Sequence, residues 1–123
     1  MGKKESILRD KAYKFAVRIV KFSQYLREEK KEFVLSKQIL RSGTSIGALI
    51  QEAEYAQSTA DFINKFSISL KEANETAYWL LLLKDTNYVG KKMFDSLHSD
   101  CNEVISMLVS TVKTLKTKTQ KNS

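Results

Sequence analysis

Asp95, His98 and Cys101 stand at i, i+3 and i+6, a spacing that lets His98 and Cys101 touch one metal ion from a helix. No second cluster supplies the remaining ligands, and Cys101 falls on an apolar stripe. The set therefore reads as a buried structural cysteine beside a surface histidine. Glu72 and Glu75 lie one helical turn apart, with Glu52 and Glu54 upstream. Paired carboxylates serve as acid and base when burial separates their pKa values. Here no nucleophile or second base accompanies them, and salt bridges to Arg41 or Lys71 are the expected role. Gly43 and Gly47 lack the Lys-Ser/Thr of a phosphate-cradling loop. No catalytic, cofactor or metal constellation emerges, and the chain is expected not to be an enzyme.

The strongest functional signal is basic. Lys11, Lys14, Arg18 and Lys21 share one stripe of a helix, spread over about 15 Å at 1.5 Å per residue. Such a rod suits a phosphate backbone and carries no sequence readout. The formal charge of +7 is uneven. Residues 1–31 hold ten Lys/Arg against four Asp/Glu, and residues 32–112 hold seven against ten. Residues 113–123 hold Lys113, Lys116, Lys118 and Lys121 and no acid. This asymmetry points to an anionic partner, most often nucleic acid, RNA or DNA, or an anionic membrane surface. A solvated, solubilising face is the plainer alternative.

These residues need elements to position them. The chain has 123 residues, enough for one domain. It has 4 Gly, no Pro, one Cys and one His. That composition excludes turn-rich β folds, a disulfide framework, a Cys-rich zinc site and the paired Glu-x-x-His centres of di-iron bundles. Apolar periodicity marks four helices, at about 6–26, 33–56, 59–85 and 92–115. Residues 27–32 are all charged and read as a surface turn. Ser58 or Thr59 offers an N-cap for the third helix. Short connections make this an all-α, up-down-up-down antiparallel four-helix bundle over residues 1–115, with a flexible basic tail at 116–123. Gly43 and Gly47 inside the second helix cost about 1 kcal/mol each relative to Ala, a cost usually offset by close backbone approach or by a kink. Tyr13, Val17, Trp79 and Leu82 lie off the core arcs, which suggests self-association. No signal sequence and no apolar run near ~20 residues is present, so the expected setting is cytoplasmic, without a membrane role.

A joint pattern runs through the middle of the chain: Gln38, Arg41-Ser42, Ser45-Ile46, Glu52-Ala53, Asp61-Phe62, Lys71-Glu72-Ala73, Glu75-Thr76 and Tyr78-Trp79-Leu80. It resembles the bacterial four-helix-bundle proteins encoded within intervening sequences of large-subunit rRNA genes, often called ribosomal-protein-like. Ala48 departs from the pattern, where many relatives carry Asn. The resemblance implies a ring-like homopentamer. It also implies similarity to the accessory protein of diversity-generating retroelements, a pentameric barrel with a basic surface that works with a reverse transcriptase and RNA.

The resulting expectation is a non-enzymatic oligomer without a cofactor, binding structured RNA or DNA through Lys11, Lys14, Arg18, Lys21 and the four tail lysines. Gln38, Arg41, Ser42, Gly43, Ser45, Gly47, Glu52, Glu75 and Trp79 are expected at helix contacts or subunit interfaces. The alternative is a scaffold that recruits another protein, with no nucleic-acid role.

Overall fold

The computed structural model describes residues 1–121, with side chains through Gln120. Four helices follow one another: α1 (Lys3–Glu28), α2 (Leu35–Ala53), α3 (Thr59–Asp85) and α4 (Lys91–Lys121). Each packs on its sequence neighbours, and α4 closes the square against α1. The chain is thus the expected up-and-down bundle. Leu8, Ala12, Phe15, Ile19, Phe22 and Leu26 of α1 meet Ile39, Ile46 and Ile50 of α2, Phe66, Ala73, Leu80 and Leu83 of α3, and Leu97, Cys101, Val104 and Leu108 of α4 in one core.

The seams differ because their residues differ. Between α1 and α2, Gly43 admits Ile19 so closely that a Cβ on it would lie 2.7 Å from Ile19 Cγ2. Gly47 is less tight, with an added Cβ 3.6 Å from Ala12. Only Gly43 therefore sits at the close approach expected of both glycines. The α2 hydroxyls also have partners. Thr44 and Ser45 donate back to the carbonyls of Leu40 and Arg41 at 2.7 and 2.6 Å. Across the α2–α3 seam Thr76 Oγ1 lies 2.9 Å from Ser42 Oγ, and Ser69 Oγ donates to the Ile46 carbonyl at 2.9 Å. The α1–α4 seam is the sparsest of the four, and polar side chains rather than small residues bridge it.

The helix ends correct two sequence expectations. The charged linker is not wholly a surface turn, because Glu32 is 9% exposed. Its Oε1 accepts from the backbone N–H of Val34 at 3.0 Å and of Ser36 at 2.9 Å, closing the open start of α2. Glu32→Ala should cost about 1–2 kcal/mol and lower the melting temperature by several degrees, with Glu32→Gln intermediate, in a thermal unfolding series. The end of α4 differs as well: of the tail expected at 116–123, residues 116–121 continue the helix, and residues 122–123 lie outside the described residues. α4 continues as helix through Lys116 and Lys118 to Lys121, because the lysines and threonines of this stretch contain no breaker. At α3, Ser58 Oγ caps the Asp61 N–H at 3.0 Å, while Asp61 Oδ2 accepts from the Gln57 N–H at 3.2 Å. Asn87, at φ 68°, takes the left-handed position just past α3.

Candidate nucleic-acid interface

The α1 stripe faces α4, and α4 divides it. Lys11 forms an ion pair with Glu103. Arg18 Nη1 donates to Asp100 Oδ2 at 2.6 Å and to the Ser96 carbonyl at 3.3 Å, and its Nη2 donates to Ser96 Oγ at 3.0 Å. These two of the four cations expected to contact phosphate are paired with carboxylates of α4. Lys14 and Lys21 are exposed and carry no ion pair among the described residues. The division follows from register: Lys11 and Arg18 project into the seam, whereas Lys14 and Lys21 stand further round the helix toward solvent.

A second basic group forms where the sequence offers only two separate clusters. Lys4 Nζ donates to Ser110 Oγ at 2.7 Å, so the start of α1 lies beside the last third of α4. Lys3 and Lys4 thereby join Lys113 and the exposed Lys116 and Lys118 at one end of the bundle. None of these five lysines has an ion pair among the described residues. The Lys121 side chain lies outside the described residues.

On the opposite side, α2 and α3 assemble the motif residues. Arg41 Nη2 donates to the two Glu75 carboxylate oxygens at 3.2 and 3.4 Å, and its Nη1 lies 3.9 Å from Glu72 Oε1. Trp79 Nε1 donates to Glu75 Oε1 at 3.3 Å. Glu75 is thereby held between a guanidinium and an indole. Glu72 Oε2 is buried without a hydrogen-bond partner. Glu52 pairs with Lys65 at 3.4 Å, and Gln38 is exposed. Arg41, rather than Lys71, holds the carboxylates.

Asp95, His98 and Cys101 do not converge. Asp95 accepts from Lys91 at 2.6 Å, a hydrogen bond that raises the lysine pKa. The His98 ring stacks on Phe94 with centroids 4.8 Å apart. Cys101 is buried and its thiol donates to the Ala73 carbonyl at 3.4 Å. Burial pushes its pKa up to about 12, so it stays a protonated core residue at neutral pH. Among the described residues no three metal-ligating side chains gather, and no helix is long and apolar enough to cross a membrane.

Two neighbouring hollows open along the α1–α4 seam and share Arg18. One, of about 220 Å³, is lined by Lys11, Lys14, Phe15, Arg18, Asp100, Glu103 and Val104. The other, of about 330 Å³, is lined by Arg18, Lys21, Phe22, Tyr25, Met93 and Leu97. Tyr25 follows the stripe along α1, whereas Met93 and Leu97 join it only through the pairing of α1 with α4.

Comparison with known proteins agrees with this architecture. Residues 4–110 match the family model described as 23S rRNA-intervening sequence protein. The chain is similar to a protein of unknown function from the S23 ribosomal protein family of Bacteroides thetaiotaomicron, known from a crystal structure. The two share 56% sequence identity, over 89% of this chain and 98% of that one, with a TM-score of 0.87. No curated protein matches. With four helices in the expected order and a family match across most of its length, the chain belongs to the 23S rRNA-intervening sequence protein family.

Proposed function

We propose that this chain is a non-enzymatic helical bundle that binds structured RNA through electrostatic contact with the phosphate backbone. One observation carries the proposal: Lys14 and Lys21 on α1, and Lys3, Lys4, Lys113, Lys116 and Lys118 at the bundle end, have no carboxylate partner among the described residues. Unpaired lysines on a rigid frame release counterions when they meet phosphates, and Lys acts there as a point charge. Of these, Lys3, Lys113, Lys116 and Lys118 lie outside the residues that match the family model. The test is fluorescence anisotropy of a labelled structured RNA at several salt concentrations. Affinity should fall steeply and log-linearly with salt. Absence of binding at low salt would return the lysines to a solvated face, and the search would move to a protein partner.

The same proposal includes self-association into a ring-like pentamer. Exposed Tyr13, Val17 and Val20 on α1, and Tyr78 and Leu81 on α3, support it as apolar surface that the single bundle leaves open. A ring would also multiply weak patches by avidity. Light scattering on the eluting protein should give about five times the 14.1 kDa chain mass; a monomer would refute this part.

A further inference from the structure

We propose that the larger hollow of the α1–α4 seam holds one unpaired base of the bound RNA, with the adjoining phosphates on Lys21 and Lys14; this rests on the RNA-binding proposal above. The hollow measures about 330 Å³, at the lower end of the ~300–1,000 Å³ typical of ligand sites. Its lining includes Phe22, Tyr25, Met93 and Leu97; Phe22 and Leu97 form its buried apolar floor, and Tyr25 and Met93 offer the surface that a flat ring would meet. Phe22 and Tyr25 lie nearly parallel, with centroids 6.3 Å apart and planes 17° apart. Tyr25 is half-buried and Met93 is 41% exposed, so the wall is open to a ligand from solvent.

Charge selects the occupant. This hollow is lined by Arg18 and Lys21 and by no carboxylate. Arg18 is already paired with Asp100, so the cations left to meet a phosphate are Lys21 and Lys30, whose Nζ lies 6.0 Å from the Tyr25 ring centroid. The neighbouring hollow carries Asp100 and Glu103, which offset its cations and repel phosphate. A ligand that combines a planar ring with an anion one backbone step away fits the first and not the second. That is the chemistry of an unstacked nucleotide, which RNA-binding proteins take on aromatic and guanidinium surfaces. Arg18 is suited to the role because Asp100 and Ser96 already hold its guanidinium in place. Lys14 stands two helical turns from Lys21, about 10 Å along α1, and continues the cationic track.

The experiment compares the full chain's binding to two RNAs at one salt concentration: a hairpin with 2-aminopurine in its loop, and a blunt duplex of equal nucleotide count. The hairpin should bind about tenfold tighter, and its 2-aminopurine fluorescence should change on binding. Tyr25→Ala should abolish the preference while leaving duplex affinity unchanged, and Tyr25→Phe should retain it. Should Tyr25→Ala fail to fold, Met93→Glu places a carboxylate at the exposed rim and should remove the preference in the same way. Equal affinities with an unchanged fluorescence signal would overturn the base pocket and leave RNA binding standing. No binding to either RNA at low salt would overturn both.

Discussion

Gly43→Leu should destabilise the bundle by about 3 kcal/mol, lowering the melting temperature by 10 °C or more or preventing folding. Even the first added carbon would meet Ile19 Cγ2 at 2.7 Å and Cγ1 at 2.9 Å. Those atoms cannot swing aside cheaply, because a β-branched side chain on a helix has one strongly preferred rotamer. The two helices would have to separate, opening the packing of Ala12, Phe15 and Ile46. Gly43→Ala should still cost about 1 kcal/mol, since the steric penalty exceeds the ~1 kcal/mol gained in helix propensity. Gly47→Ala should behave oppositely. Its new Cβ would sit at 3.6 Å from Ala12, an ordinary contact, and the propensity gain should raise the melting temperature by a few degrees. Parallel thermal melts decide the matter: equal losses at the two glycines would show that the seam is not set by Gly43.

Lys14→Ala/Lys21→Ala should reduce the salt slope of RNA binding by about two and lower affinity about 60-fold at 0.1 M salt, if each lysine neutralises one phosphate. Lys11→Ala should leave the slope almost unchanged, because that ammonium is held by Glu103 on α4. Its pair is half-exposed and worth about 0–1 kcal/mol to the fold, so the variant should also melt near the parent temperature. The contrast matters because all four cations of the stripe look equivalent along the helix. Equal slope changes for Lys11 and Lys14 would mean that RNA breaks the Lys11–Glu103 pair on binding. No change for either α1 variant would confine the contact to Lys3, Lys4 and the α4 lysines.

Much of the architecture could be read along the chain. The apolar arc from Leu8 through Leu26 repeats every three to four residues, and that period alone defines a helix with one buried face. Ser58 and Asp61 announce the start of α3 by local chemistry, within four residues of each other. Glu32 escaped because its capping role depends on burial, which a run of six charged residues conceals. The α4 end escaped for another reason. Lys and Thr around Lys116 look like a tail by charge, yet none of them breaks a helix.

The all-α class, the four helices, the basic stripe and the family pattern from Gln38 to Leu80 are legible along the chain. All of these rest on periodicity, local composition or residue identity, which survive reading one residue at a time. Which lysines lack a carboxylate partner among the described residues, which glycine is tight, and which side chains wall the α1–α4 hollow emerge only once the helices pack. Lys11 and Glu103 are ninety-two positions apart, Lys4 and Ser110 more than a hundred. The physical reason is that pairing across a seam is set by helix register and rotation. A shift of one residue turns a side chain by about 100°, enough to move a lysine from a carboxylate into solvent.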